Sequence, residues 1–378
     1  MPDVDDELVE LAHDFAEREM RPQAAGYDES GEFPWDIVHR AAELGLASYD
    51  LPEEYGGGGV SSLLTGARII EELAWGDAPM AGCIGGGGFF AGPIVAMGDD
   101  VQKERWVTPL CTERPPIGAL ATTEPEVGSD AAAMTSHARR NETDDGYLLN
   151  GQKTWISNAP VADLYLVFAT VAPGTRSKGI TAFVLERGDP GFEIGRKLPK
   201  MGARCYPAGE LFFTDCALPD DRRIGDEGQG FYGVMRWFDV TRVQLAANSI
   251  GIGRAALEYA VEYAKQRHAF GKAIHEFQAV SFRLVDARMK LDQARLMAHH
   301  AARLADAGMS FSTEASMAKL AASEAAWFST WACCQTLGGY SYSTEYPAER
   351  WLRNAKLEEL YEGTNDIQRL IISRSMFG

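Results

Sequence analysis

The strongest chemical signal lies near the C-terminus, in Leu360-Tyr361-Glu362-Gly363-Thr364-Asn365-Asp366-Ile367-Gln368-Arg369-Leu370. Ile367, Leu370 and Ile371 recur at helical spacing, so a short amphipathic helix is expected to begin near Asn365. Asn365 is its expected cap, with Gln368 placed to reach back as a capping-box partner. Glu362 then stands just outside the helix, on a turn that Gly363 makes flexible, with Tyr361 beside it as an aromatic wall. Two readings compete for this carboxylate. Acidic residues are common before helices because the dipole favours them. The functional reading is a general base on a loop, which needs burial to raise its proton affinity against that dipole.

Four further segments carry polar and aromatic groups in useful patterns. Ala121-Thr122-Thr123-Glu124-Pro125-Glu126-Val127-Gly128-Ser129-Asp130 offers hydroxyls and exposed amides that suit a polar ring edge or a phosphate. In Asn150-Gly151-Gln152-Lys153-Thr154-Trp155-Ile156-Ser157-Asn158, Trp155 and Ser157 share one face of a strand, an arrangement that fits a planar heteroaromatic ligand or simply a packed indole. Gln266-Arg267-His268-Ala269-Phe270-Gly271 ends a long helix and is followed by Phe277-Gln278. Cys334-Gln335-Thr336-Leu337-Gly338-Gly339 closes another, and its glycine pair lets backbone approach a ligand such as a pyrophosphate. Glu10-x-x-His13 has di-iron spacing but no second copy, so it reads as a surface helix pair without metal. The runs Gly56–Gly59 and Gly85–Gly88 lack the Lys-Ser/Thr of a phosphate loop and follow no strand, so they read as flexible connections between helices.

The elements that must position these groups follow a helical, β, helical order. Up to about Pro116 the pattern is helical, with Leu8, Leu11, Ala12, Phe15 and then Ile37, Ala41, Leu44 as apolar stripes. From Ala138 to Asp215 short strands are expected at Tyr147–Leu149, Leu164–Thr170, Ile180–Leu185, Phe192–Ile194 and Glu210–Phe213. Asp144-Asp145-Gly146, Asn150-Gly151, Pro173-Gly174 and Asp189-Pro190-Gly191 are the expected turns between them, which implies a compact antiparallel barrel or sandwich. Three long Ala-rich helices follow at Val240–Arg267, Glu276–Asp306 and Thr313–Gln335, an antiparallel bundle of four-helix type. The fold class is therefore mainly α with a central β domain, divided at residues 1–117, 118–226 and 227–378.

With 36 Lys and Arg against 54 Asp and Glu, the formal charge of −18 argues against nucleic acid or an anionic membrane as partner. No stretch approaches the ~20 apolar residues of a membrane span, and the acidic N-terminus lacks a signal pattern. Six cysteines without a CxxC pair read as reduced thiols in a cytosol-like compartment, with neither disulfides nor zinc.

Taken together, these segments resemble the acyl-CoA dehydrogenase family, flavoproteins that introduce a 2,3-double bond into acyl-CoA thioesters. The matching motifs are Thr-Glu-Pro-x-x-Gly-Ser-Asp, Asn-Gly-x-Lys-x-Trp-Ile-Ser-Asn, Gln-Arg-x-x-Phe-Gly, Gln-x-Leu-Gly-Gly and Tyr-Glu-Gly-Thr-x-x-Ile-Gln-Arg, in family order over nearly the whole chain. The resemblance implies FAD as cofactor and Glu362 as the base that takes the α-proton while the β-hydride leaves to flavin N5. It implies that the thioester oxygen is held by the base residue's own N–H and a flavin ribityl hydroxyl. By the same resemblance Leu120, Thr122, Thr123 and Ser129 surround the flavin, Ser129 also near substrate, and Trp155 and Ser157 pack on the isoalloxazine ring. Arg267, Phe270, Phe277, Gln278, Gln335, Leu337, Gly338 and Gly339 would contact its ribityl, pyrophosphate and adenosine parts, typically from a neighbouring subunit. Thr364 and Asp366 would touch FAD, while Phe238, Asp239, Arg242, Tyr361 and Gly363 would meet the acyl-CoA. Val127 and Arg204-Cys205 depart from the family pattern, which bears on substrate shape alone. An electron-transfer flavoprotein as acceptor, a homotetramer, and a cytoplasmic or, in a eukaryote, mitochondrial-matrix location complete the expectation. The competing readings are an acyl-CoA oxidase using oxygen and a non-catalytic subunit that completes a partner's site.

Overall fold

The computed structural model describes residues 4–141 and 145–378; of the expected turn at 144–146, Asp144 lies outside the described residues. The chain opens with α1 (Val4–Phe15), a π turn, α2 (Arg21–Ser30) and α3 (Trp35–Glu43), then α4 (Leu63–Ile84), α5 (Gly86–Met97) and α6 (Asp100–Trp106). Ala12 and Phe15 bury one stripe of α1, and Ile37, Val38 and Ala41 bury one of α3, as the spacing predicts. Ser62 caps α4 by accepting from the Thr65 N–H at 3.2 Å. The second glycine run is a correction: Gly86, Gly87 and Gly88 form the first turn of α5 and are no linker. Burial there outweighs the weak helix propensity of glycine, because a Cβ at Gly86 would meet Asn158 Nδ2 at 2.4 Å.

The central region is one eight-stranded sheet of β1 (Gly118–Ala121), β2 (His137–Arg140), β3 (Gly146–Ser157), β4 (Leu164–Thr170), β5 (Ile180–Glu186), β6 (Phe192–Lys197), β7 (Ala208–Pro219) and β8 (Arg223–Ile224). The order runs β6-β7-β3-β2-β4-β5-β8, with β1 beside β4. Most neighbours are antiparallel, but β1 pairs β4 in parallel and β2 touches β4 in parallel through His137 and Thr170. Every residue of β4 is buried, which explains its unbroken apolar run. Asn150-Gly151 is no turn; it lies within β3 at a register shift that follows Leu149. Gly151 sits at φ 140°, and a Cβ there would lie 2.4 Å from Ser136 Oγ, so a bulge rather than a reversal uses this glycine. A second shift between Lys153 and Ile156 turns Trp155 outward at φ 58°.

The C-terminal region holds α7 (Gly230–Gln266), a hairpin of β9 (His268–Ala269) and β10 (Lys272–Ala273), α8 (Gln278–Asp306), α9 (Ser312–Leu337), α10 (Ala348–Glu358) and α11 (Asn365–Phe377). Helix α7 starts ten residues before Val240, because Gly230 lies against β5, where a Cβ would be 2.8 Å from Thr181. Ala287, Ala294, Ala298 and Ala301 bury one stripe of α8, and small side chains let the long helices approach closely. All six cysteines are free, and no group of residues suited to a metal ion occurs among the described residues. His13 instead bonds Glu72 at 2.8 Å and stacks on Trp75. Among the described residues no single helix is long and apolar enough to cross a membrane; α4 and α5 pass only as a pair bent by 55°.

Candidate active site

A bend between α10 and α11 carries Glu362 at φ 51° and Gly363 at φ 89°. A left-handed backbone costs a non-glycine residue about 1–3 kcal/mol, so the surroundings must hold it. They do so through carbonyls. Lys319 Nζ on α9 donates to the Gly363 carbonyl at 3.1 Å, and Gln368 Nε2 donates to the same oxygen at 2.8 Å. The expected capping shifts by one residue: Thr364 is the cap and accepts from the Ile367 N–H at 3.3 Å. Asn365 is the first helical residue, and its side chain accepts from Lys319 and Ser323. Gln368 holds the turn instead of completing a capping box.

The Glu362 carboxylate faces α7, where the Thr241 hydroxyl donates to Oε2. Burial lifts its pKa to about 7, against the Thr241 hydrogen bond and the charges of Arg242 and Lys319, while Glu358 adds to the rise. The Glu362 N–H meets no acceptor among the described residues. Beside the turn a cavity of ≈ 920 Å³ opens between α4, α5, α7 and α10, its wall including Phe89, Tyr206, Leu245, Asn248, Glu358 and Tyr361. Most of its lining is apolar, and Asp50 and Glu358 are its only charged lining residues among those described. Arg242 is 6% exposed and paired with Asp239, which also accepts from Ser312 Oγ at 2.9 Å; Phe238 stands next to this pair, half-buried.

Leu120, Thr122 and Thr123 run alongside β3, fastened by Thr154 N–H to the Thr123 carbonyl at 3.0 Å and Lys153 Nζ to the Thr122 carbonyl at 3.1 Å. Below them Lys153 and Glu124 form a buried ion pair at 2.8 Å. Burial opposes the Glu124 charge, but Lys153 and the donors of Thr135 outweigh it and hold its pKa at about 2. Ser129 is exposed, and Trp155 shows 59% of its surface beside the half-buried Ser157. Tyr206 lies between the two groups of residues, near enough to Ser157 and to Glu362 for both to act on its phenol.

The remaining candidates gather elsewhere. Arg267, Leu337, Gly338 and Gly339 line a second cleft of ≈ 780 Å³ with Tyr263 and Tyr340. Nothing lies within 4 Å of a Cβ built on either glycine. Phe270, at φ 51° and 95% exposed, meets Phe277 edge-on at 6.1 Å, while Gln278 and Gln335 are exposed. Arg242 and Arg267 are twenty-five residues apart along α7, roughly 37 Å at 1.5 Å per residue. One chain therefore does not bring the Arg267 group to Glu362. Asp366 points into solvent, with an ion pair to Arg369 at 3.5 Å.

Models of the N-terminal, middle and C-terminal domains of acyl-CoA dehydrogenase match residues 2–114, 119–216 and 228–377. The chain belongs to the acyl-CoA dehydrogenase family. The mitochondrial short-chain specific acyl-CoA dehydrogenase of Homo sapiens is 41% identical over 374 residues, 99% of this chain and 90% of its own. Butyryl-CoA dehydrogenase from Megasphaera elsdenii superposes with a TM-score of 0.96 at 38% identity, covering 100% of this chain and 99% of that one. A chain solved in work on the electron transferring flavoprotein of Acidaminococcus fermentans gives a TM-score of 0.95 at 36% identity, covering 100% and 98%. The protein is an acyl-CoA dehydrogenase, of a family of FAD flavoproteins in fatty acid β-oxidation. In this acyl-CoA dehydrogenase the motifs pointed to Glu362 but not to Thr241, Lys319, Glu358 or Tyr206, which surround it. Thr241 occupies an unassigned position within Phe238-Asp239-x-x-Arg242, so only its one-turn offset from Phe238 hinted at a shared face.

Proposed function

We propose that this acyl-CoA dehydrogenase oxidises a short-chain acyl-CoA thioester to the 2,3-enoyl-CoA, with Glu362 taking the α-proton. FAD, when bound, supplies the acceptor for the β-hydride, so proton and hydride together account for both hydrogens removed. The observation that carries the reading is the Glu362 carboxylate, held by Thr241 in a left-handed turn beside an apolar cavity, with a pKa of about 7. A base of that affinity is ionised in part near neutrality and still binds the proton it receives. The free Glu362 N–H supports a role in holding the thioester oxygen, which stabilises charge that develops as the α-proton leaves. Tyr361 and Gly363 flank that position, and the Phe238, Asp239 and Arg242 segment on α7 is read as the contact to the CoA chain. Short acyl groups are inferred from the similar human and Megasphaera proteins.

Two features of this chain fit a flavin dinucleotide. The outward Trp155 indole beside Ser157 offers a face and a donor for a tricyclic ring, with Leu120, Thr122, Thr123 and Ser129 alongside. The open space over Gly338 and Gly339 next to Arg267 suits a pyrophosphate, with Phe270, Phe277, Gln278, Gln335 and Leu337 around it. Their separation along α7 supports the second set serving the flavin of a neighbouring copy. The exposed apolar stripe Phe282, Val285, Met289 and Leu296 on α8 supports such an assembly, read as a homotetramer. Thr364 and Asp366 are assigned to the flavin side of the turn, and electrons are read as passing to an electron-transfer flavoprotein. Residues 1–117, 118–226 and 227–378 are proposed as the three domains, in an enzyme of the cytoplasm or mitochondrial matrix. Anaerobic mixing of the flavin-loaded protein with butyryl-CoA should bleach the flavin, and Glu362→Gln should stay yellow without bleaching. Unchanged bleaching in that variant sinks the assignment of the base.

A further inference from the structure

Two buried ionic side chains beside the base turn have no part in the reading above. Glu358, the last residue of α10 and 3% exposed, precedes Glu362 by one helical turn. Its Oε1 accepts from Asn248 Nδ2 at 3.1 Å and its Oε2 from Ser249 Oγ at 2.9 Å. The Tyr361 hydroxyl donates to the same carboxylate at 3.0 and 2.9 Å. Glu358 thus fastens the residue before the base to α7, the helix whose Thr241 donates to Glu362. Lys319, on α9 and fully buried, approaches the turn from the other side. Its Nζ donates to the Gly363 carbonyl and to Asn365 Oδ1, and it makes no salt bridge among the described residues. A buried ammonium without a salt-bridge partner is costly, so its placement at the strained carbonyl calls for a reason.

We propose that Glu358 and Lys319 are positioning residues for the base. The acid ties Tyr361 to α7 and the ammonium ties the Gly363 carbonyl to α9. Together they hold Glu362 left-handed against Thr241 and bracket its carboxylate between charges of opposite sign. The proposal rests on Glu362 being the base. The groups that face Glu362 are Thr241 and Arg242 from α7, Lys319 from α9, Tyr206 from the loop before β7, and Glu358 and Tyr361 from its own segment; Glu359 adds its charge at Lys319. Of these, Glu358 favours the protonated base, and Lys319 and Arg242 favour the ionised one. Arg242 is already paired with Asp239, which leaves Glu358 and Lys319 as the opposed pair. Burial pulls the Lys319 ammonium down to about 8 and pushes Glu358 up to about 7.

The test uses the flavin-loaded enzyme and the rate of bleaching by butyryl-CoA as a function of pH. That rate rises as the base ionises. Glu358→Gln removes a like charge, so the rising limb moves to lower pH by at least about 0.5 unit, and Lys319→Met moves it upward by as much. The double variant returns toward the parent limb. Amide hydrogen exchange across residues 359–364, read without substrate, should quicken by about tenfold or more in either single variant as the turn loosens. Limbs that stay in place, or that move in the same direction, overturn the bracket. If Lys319→Met does not fold, Lys319→Gln keeps a donor for the Gly363 carbonyl and must still give the upward shift. Glu362→Gln separates the two ideas. Bleaching that survives it removes the base itself, whereas lost bleaching with unmoved limbs removes only the bracket.

Discussion

The two clefts of this enzyme treat water in opposite ways. Around Glu362 the polar groups are largely partnered inside the chain: Thr241 to the carboxylate, Lys319 and Gln368 to the turn, Tyr361 to Glu358. The cavity beside it is mostly apolar, and burial, with Glu358 adding to it, outweighs Thr241, Arg242 and Lys319 and lifts a carboxylate that solvent would hold near 4.5 to about 7. Around Gly338 the side chains stand open to solvent. Phe270 is 95% exposed, Gln335 and Gly339 face outward, and the Arg267 guanidinium lies over the Tyr340 ring at 5.7 Å. On the function proposed above, the difference means that one chain completes a place for proton transfer but only half of a place for a dinucleotide. Proton affinity is tuned by excluding water, which one fold achieves alone, whereas anion binding at a glycine pair needs the ligand itself.

Breaking the dry cleft should have the largest effect. Glu362→Gln should slow flavin bleaching about a thousandfold or more in stopped-flow mixing, since loss of a positioned base costs on that order. Next comes the buried ion pair beneath Thr122 and Thr123. Lys153→Met leaves the Glu124 charge buried and unpaired, and urea titration should show a loss of about 3–5 kcal/mol. The open cleft should respond in binding rather than chemistry. Arg267→Ala should weaken FAD retention about tenfold or more while turnover with excess FAD stays within about threefold, measured by flavin fluorescence and steady-state assay. Equal effects on retention and saturated turnover would erase the contrast between the clefts.

Two smaller effects sharpen the comparison through pH. Thr241→Val removes a hydrogen bond that favours the ionised base, so the Glu362 pKa rises above about 7 and the rate falls at low pH. The deficit should be about threefold to tenfold near pH 6 and vanish at alkaline pH, where both proteins are ionised. Glu124 has the opposite sign. Its folded pKa of about 2 lies below the ordinary 4.5, so its contribution to stability is full above pH 4.5 and disappears as pH falls toward 2. The stability gap between the parent and Glu124→Gln should therefore close through that window in urea titrations.

Much of the architecture was legible because local signals and tertiary outcome agree. Leu164–Thr170 reads as a strand and is one over the same seven residues, since a run of apolar β-formers leaves few alternatives. Asn150-Gly151 misled, because the same dipeptide serves a turn or a bulge, and only the approach of Ser136 selects between them. Gly86–Gly88 misled for a similar reason, as close packing on Asn158 overrides a poor helix propensity. The start of α7 at Gly230 rather than Val240 depends on packing against β5, which no local signal encodes. At the site, Thr364 and Asn365 are both good caps, and the burial of Asn365 beside Lys319 and Ser323 left the role to Thr364.

By itself the sequence determined the order of helical and strand segments and the bend that presents Glu362, since these follow from spacing and turn residues within a few positions. The tertiary structure alone decided what that carboxylate touches. Thr241 is 121 residues from Glu362, and Lys319 is 44 from Gly363. Contacts over such separations depend on how α7, α9 and α10 pack, and no local preference encodes that register. Removal from water and the charges brought near it set the proton affinity of Glu362, and both exist only once those helices have closed around the turn.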